Sequence, residues 1–395
     1  MARIIIIGRN FTSRLGMIRA IGEDNSENEI VVIKTNGDKP DIDAYSKYIS
    51  SYVYAREPNR SLLIETIQRF QSPEEKSVII PVDDYSASVV DEYADILKKD
   101  FMFPHIEMRA GAINQLMDKS YQKAIATKVG LKVANGVVIH LEGGLFQIPD
   151  TISFPCFPKP LVSYTGNKTC MMCCRNRDEL ESTLASFSQK FPNCSILVEE
   201  YIKIDKEYAT LGFSDGEKVI IPGMIRILQD GRGHHKGVTL RGRVLPEEGF
   251  VSFLNDLKKL ILETHFVGLF DIDSYDSGGV MHFNELNLRF GASGYAFTGS
   301  GVNLPAKMVR YFLGLPYNME DSINKATLFL NEKVAYEDTI EGYLSPIKYK
   351  GLLNNNDLHF IKNQLDSNPF DMFIAGQKRF LKPLAKYILR CLKLR

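Results

Sequence analysis

The sequence predicts a mixed α/β and α+β chain built from several units, and three observations carry that prediction. β-branched runs alternate with helical stretches through the first hundred residues. An apolar segment at 268–289 turns back on itself at a Gly-Gly pair. Beyond Pro305 the pattern is mostly helical. At 395 residues the chain exceeds what one hydrophobic core usually fills, so two to four compact units are expected.

The first unit opens on an isoleucine run at 4–7 that ends at Gly8, with further β-branched runs at 30–33 and 78–80. Helical stretches lie near 62–70 and 87–99, which argues for a parallel sheet with crossover helices. No Gly-x-Gly-x-x-Gly follows the first strand, so the dinucleotide fingerprint is missing. Pro81-Val82-Asp83-Asp84-Tyr85 follows a buried strand, where an open α/β sheet presents ligand-facing residues. A helix is expected from Asp118 to about Val129, stopped by Gly130. Strands are expected at 137–139, 154–160, 170–174 and 196–198.

Composition excludes some classes of function. Lys+Arg and Asp+Glu each number 48, so the chain has no net charge to steer nucleic acid, and no nucleic-acid partner is expected. Six cysteines are too few and too clustered for a disulfide framework, and Cys170-x-x-Cys173 lacks the second pair that a zinc site needs. The apolar start is too short for a signal segment, and no run reaches the ~18 residues of a membrane span. A cytoplasmic location is expected. Residues 378–395 interleave Lys and Arg with apolar residues. They read either as an amphipathic helix resting on an anionic membrane or as a terminal helix packed on its own domain.

The chemistry concentrates in Gly268-Leu269-Phe270-Asp271-Ile272-Asp273 and Phe283-Asn284-Glu285-Leu286-Asn287-Leu288-Arg289. Alternation along a strand puts Glu285, Asn287 and Arg289 on one face, and Asp271 and Asp273 likewise share a face. A three-residue loop, Ser277-Gly278-Gly279, would set Asp271 opposite Glu285. Facing carboxylates repel, so a cation is expected between them, and an oxygen-only set suits Mg²⁺. Taken alone, the same pattern fits an exposed polar hairpin in which Arg289 neutralises Glu285. Upstream stand Lys119, then Lys159 between Pro158 and Pro160 in an expected edge strand. Glu199-Glu200-Tyr201-Ile202 and Glu207 follow.

Together and in this order, over residues 110–310, these segments resemble the ATP-grasp superfamily, in its carbamoyl-phosphate-synthase type. The resemblance implies an ATP-grasp fold with an N-terminal Rossmann-like pre-ATP-grasp domain. The units would be 1–110, a small subdomain at 111–195, a metal-bearing subdomain at 196–315 and a mostly helical region at 316–395. It implies that Lys119 and Lys159 reach the phosphates of ATP. Glu199, Glu200 and Ile202 would form the adenine linker, and Glu207 would bind ribose. Asp273, Glu285 and Asn287 would hold Mg²⁺, with Asp271 an alternative first ligand, and Arg289 would act beside Lys159 in catalysis.

Three features depart from the family pattern, the first being that Asp271 is more acidic than the residue many relatives carry at its position. Leu288 replaces the usual Pro before Arg289, and the loop Ser163-Tyr164-Thr165-Gly166-Asn167-Lys168 carries a single Gly where a Gly-rich lid is usual. The function implied is a carboxylate–amine ligase working through an acyl phosphate, with small-molecule acid and amine as partners; a homo-oligomer is compatible with it. Looser similarity to D-aspartate ligase points to an amino acid or a cell-envelope precursor as substrate. A kinase of the same fold and a non-catalytic nucleotide-binding module are the alternatives. A basic loop, Gly231-Arg232-Gly233-His234-His235-Lys236-Gly237, and Arg241 or Arg243 are further candidates to hold a carboxylate.

Overall fold

The computed structural model describes residues 2–72, 77–163, 171–233 and 236–360, together with 385, 388 and 389. The first sheet comprises β1 (Arg3–Gly8), β2 (Glu29–Lys34), β3 (Ile49–Tyr54), β4 (Ser77–Pro81) and β5 (Phe101–Met102), all parallel in the order β3-β2-β1-β4-β5. Its centre is buried on both sides, which the unbroken isoleucine run requires. Ile4 and Ile6 pack with Met17 and Ile18 on one face, and Ile5 and Ile7 with Leu63 and Val89 on the other. The strand order reverses between β1 and β4, so the crevice beyond their C-terminal ends holds Gly8, Asp83 and Asp84. Asp83 caps the helix Asp84–Glu92 by accepting from the Ser86 N–H.

A second, three-stranded sheet joins β7 (Gly136–His140), β8 (Cys156–Pro160) and β9 (Ser195–Glu200), with β9 in the middle. β8 is an edge strand, which is why it tolerates Pro158 and Pro160. The helix Arg177–Lys190 covers this sheet through Leu180, Leu184 and Phe187. The strand expected at 170–174 reduces to one bridge, Cys156 to Cys174, among the described residues. Both thiols are buried and free.

The largest sheet has nine strands. β6 (His105–Ile106), β10 (Lys206–Asp215), β11 (Val219–Ile220), β12 (Met224–Asp230), β13 (Thr239–Leu245), β14 (Phe266–Ser277), β15 (Val280–Asn287), β16 (Thr327–Leu330) and β17 (Leu358–His359) contribute. The main path runs β15-β14-β10-β12-β13-β16-β17. One face packs Phe270, Ile272, Phe283 and Leu286 against the helix Val251–Thr264. The opposite face buries Leu211 and Phe213 in a core shared with Ile4, Ile6 and the helix Leu304–Phe312. That shared core, with β6 pairing to β14, ties the first sheet to the largest one. No helix among the described residues is long and apolar enough to cross a membrane.

Candidate active site

The β14–β15 hairpin sets the acidic face, and it does so by a route the sequence reading missed. The loop is two residues, not three: Ser277 pairs with Val280 across Gly278 and Gly279. Both glycines have positive φ, 60° and 83°, the requirement of a type I′ hairpin turn. A bulge then absorbs Asn284, so that Asp273 faces Glu285 and Asp271 faces Asn287. Without that extra residue Glu285 would oppose Ile272 and turn into the apolar core. The expected Asp271–Glu285 pairing is therefore corrected to Asp273–Glu285.

Cations do sit among these carboxylates. The helix Lys119–Lys128 starts at Asp118, whose side chain accepts from the Ser120 and Tyr121 N–H groups. Gln122 from that helix clamps the free edge of β15, donating to the Leu286 carbonyl at 2.8 Å and accepting from its N–H at 2.9 Å. Lys119 Nζ consequently lies 3.0 Å from Glu285 Oε1 and donates to Ser163 Oγ at 2.7 Å. Ser163 in turn donates to the same Glu285 oxygen at 2.5 Å. Burial would raise the Glu285 carboxyl, but Lys119, Lys159 and the Ser163 hydroxyl overcome it and hold it down at about 2.

The second lysine is set across from the first, on β8. Lys159 Nζ lies 2.9 Å from Glu199 Oε2 and donates to Asn284 Oδ1 at 3.1 Å, so the bulged residue bridges the two sheets. The other Glu199 oxygen takes Lys123, which also donates to the Ala134 carbonyl at 2.9 Å. Burial lowers the Lys123 ammonium, with the nearby Glu199 opposing that shift. Glu199 is thus a buried carboxylate with an ammonium on each oxygen, an arrangement in which losing either partner is costly.

Arg289 organises the third corner. Its Nε donates to Asp84 at 2.9 Å, Nη2 donates to Asn287 Oδ1 at 3.2 Å, and Nη1 lies 3.5 Å from Asp271 Oδ2. Asp84 comes from the crevice of the first sheet, so Arg289 joins that crevice to the hairpin. Asn287 Nδ2 approaches Asp273 Oδ2 at 3.4 Å. Asp271 is pushed up to about 6 by burial, with Arg289 opposing and Asp84 and Glu285 adding to the rise. Its Oδ1 is buried without a hydrogen-bond partner among the described residues. A Cβ at position 291 would come within 1.8 Å of Asp271 Oδ2, which is why Gly291 stands there.

The linker residues border the same cleft. Glu200 accepts from Asn135 through both the backbone N–H, at 2.8 Å, and the side-chain amide, at 2.9 Å. The Tyr201 N–H donates to the Pro155 carbonyl at 2.9 Å. Ile202 makes no backbone hydrogen bond among the described residues. Glu207 lies at the start of β10, pushed up by partial burial and by the charge of Asp230.

The structure therefore gathers Lys119, Lys159, Glu199, Asp273, Glu285, Asn287 and Arg289 between two sheets. Asp273, Glu285 and Asn287 offer hard oxygen donors, and the buried Asp271 Oδ1 is unpartnered among the described residues. This set fits Mg²⁺ completed by phosphate oxygens rather than a closed protein cage. Among the described residues no three His, Cys, Asp or Glu side chains are grouped so as to hold a metal by themselves.

Arg241 and Arg243 are not in the site. Arg243 pairs with Arg226, Arg226 with Tyr208 and Tyr208 with Ser274, which puts them on the opposite face from Asp271 and Asp273. Arg241 on that face donates to Asn356 Oδ1 at 3.0 Å. Residues 164–170 of the candidate lid and 234–235 of the basic loop lie outside the described residues, as does 378–395 apart from 385, 388 and 389. Sequence reasoning passed over Lys123 and Asn284, and placed Asp84 among the ligand-facing residues after β4 without its partner Arg289. Lys123 alone carried a local signal, standing four residues after Lys119 on one helix face.

No family model matches the chain. Two curated relatives share the name formate-dependent phosphoribosylglycinamide formyltransferase. That of Prochlorococcus marinus is 26% identical over 263 residues, 65% of this chain and 64% of the relative. That of Nitratiruptor is 30% identical over 184 residues, 46% of each chain. The chain thus spans about half to just under two thirds of the curated relatives it matches. Among solved structures, it is similar to L-amino acid ligase from Bacillus licheniformis, with a TM-score of 0.61 and 14% identity over 83% of this chain and 79% of the other. N5-carboxyaminoimidazole synthetase from Staphylococcus aureus, solved with ADP, gives 0.62 and 17% over 84% and 82%. Biotin carboxylase from Campylobacter jejuni, solved with an ATP analogue, gives 0.63 and 19% over 82% and 74%. The chain has the ATP-grasp fold, with an N-terminal parallel α/β sheet.

Proposed function

We propose that this chain, built on the ATP-grasp fold, is an ATP- and Mg²⁺-dependent ligase that activates a carboxylic acid as its acyl phosphate and joins the acyl group to an amine. One observation carries the reading. Two buried lysines from separate elements, Lys119 and Lys159, face Glu285 and Glu199 across the cleft, with Asp273, Asn287 and Arg289 on the same strand face.

Phosphoryl transfer asks for positioning and charge neutralisation rather than covalent help. Lys119 and Lys159 would turn from their carboxylates to phosphate oxygens. Asp273, Glu285 and Asn287 would hold Mg²⁺, which neutralises charge on the phosphate oxygens when bound. Glu199 and the unbonded Ile202 backbone would take the adenine edge, with Glu200 bracing the linker through Asn135 and Glu207 reaching the ribose. The substrate carboxylate oxygen attacks the γ-phosphorus and ADP leaves. The amine then attacks the acyl carbon, phosphate departs, and the nitrogen gives up a proton.

For the acid we propose an amino acid. Arg289 beside Asp84 and Asp271 presents a cation next to two carboxylates, complementary to the carboxylate and ammonium of one zwitterion. The units proposed from sequence, 1–110, 111–195, 196–315 and 316–395, would then supply, in turn, the substrate crevice, the lysines, the metal face and an accessory region. The test is ADP release from Mg-ATP across D- and L-amino acids and small carboxylates, with Glu285→Gln as control. Acid-dependent release that the substitution abolishes is expected. Acid-dependent release that needs no amine acceptor and leaves a stable phosphorylated product would favour a kinase instead.

A further inference from the structure

Arg226, Arg241 and Arg243 take no part in the ligase chemistry proposed above. β12 and β13 set Arg226 directly opposite Arg243, and strand alternation keeps Arg241 on the same face as Arg243. This is the face turned away from Asp271 and Asp273. Its row across the sheet runs Ser274, Tyr208, Arg226, Arg243 and Leu328. Arg243 is exposed and the other two arginines are half-buried, so ions in solution can reach all three.

Like charges placed directly opposite each other across two strands repel. Among the described residues, neither the Arg226 nor the Arg243 side chain makes an ion pair or a hydrogen bond. Acidic residues bordering the row are committed elsewhere. Asp276 lies 3.5 Å from Lys206, and Asp357 accepts from the Leu328 N–H at 2.9 Å. Arg241 is held by an amide rather than by an acid. Its Nε donates to Asn356 Oδ1 at 3.0 Å, and Asn356 Nδ2 donates in turn to the Leu352 carbonyl. A neutral partner fixes the guanidinium and leaves its charge uncompensated.

We infer that Arg226, Arg241 and Arg243 form a binding site for a phosphate-type oxyanion, on the face opposite the candidate active site. Guanidinium forks match pairs of phosphate oxygens, and an anion set among the three cations relieves their repulsion. A phosphate dianion offsets two of the three charges, where a carboxylate offsets one.

Thermal unfolding of the full chain in inorganic phosphate, against chloride of equal ionic strength, tests the site. Phosphate at about 10 mM, too dilute to act as a kosmotrope on the whole surface, should raise the midpoint by about 2–4 °C. Arg243→Gln should unfold in chloride at a midpoint no lower than the parent's, because the repulsion is relieved, and should lose the gain from phosphate. Arg226→Gln, the second variant, should behave alike. Glycerol phosphate separates the sources of the anion. An equal or larger gain with it supports a phosphorylated small molecule, and a gain with the inorganic ion alone supports free phosphate. No gain in the parent would overturn the site. So would an equal gain in the parent and both variants, which would put the anion elsewhere on the chain.

Discussion

Glu199 shows how this site manages buried charge. A carboxylate removed from water is tolerated only when paired, and here each oxygen carries its own ammonium, Lys123 on one side and Lys159 on the other. The two partners differ in what else holds them. Lys123 is anchored to the Ala134 carbonyl within its own stretch of chain, whereas Lys159 reaches across to Asn284. On the proposed function, Lys159 is the one that phosphate would draw away, while Lys123 stays to hold Glu199 in place. Lys123→Met should raise the KM for ATP by about tenfold, with kcat changed much less, because it removes the fixed counter-ion and not a phosphate contact. Initial-rate kinetics against ATP checks this; an unchanged KM would mean that Glu199 is held without Lys123. The i, i+4 spacing of Lys119 and Lys123 was legible in the sequence. Their carboxylate partners were not, because Glu199 and Glu285 approach only when β9 and β15 fold against that helix.

At the level of the element, the β14–β15 hairpin places the site through its turn and its bulge together. Gly278-Gly279 is readable from sequence as a tight turn, yet the loop length differs from the expectation by one residue, and the bulge at Asn284 compensates. No sequence rule located that bulge, since Asn284 is chosen by what it meets, Lys159 of another sheet. The turn itself has a measurable energetic signature. Gly279 adopts φ 83°, so Gly279→Ala should destabilise the protein by about 1–2 kcal/mol. Urea unfolding would register this as a lower midpoint with an unchanged slope. A midpoint equal to that of the parent would show that the turn relaxes to a conformation free of the left-handed region. The three central strands of the first sheet, by contrast, were legible, because parallel strands buried on both faces leave an unbroken apolar run, whereas the edge strands β3 and β5 were not read.

For the whole molecule, the join between the first and largest sheets decides whether Asp84 can meet Arg289. That join runs through β6, where His105 pairs with Val267 of β14 and accepts from the Met108 N–H at 3.3 Å. Burial holds the His105 imidazole down to about 4, against about 6.5 for a free histidine. The unfolded chain therefore binds a proton between these values that the folded chain refuses. Stability from this group is full above about 6.5 and falls as the pH drops toward 4. His105→Gln should remove that part of the acid-side decline, readable as a flatter stability profile between pH 6.5 and 4; an unaltered profile would place the decline in other groups. Contacts of this range, like Asp84 to Arg289, escape a reading of sequence, whereas the order of Lys119, Lys159, Glu199, Asp273 and Glu285 along the chain was enough to suggest the fold that brings them together. The central claim is that a carboxylate is activated by phosphorylation, and hydroxylamine traps acyl phosphates whatever the natural amine is. Incubating the chain with Mg-ATP, hydroxylamine and each acid in turn should yield a hydroxamate with at least one of them, in step with ADP and lost in Glu285→Gln. Acid-stimulated ADP release with no hydroxamate would contradict the acyl-phosphate account.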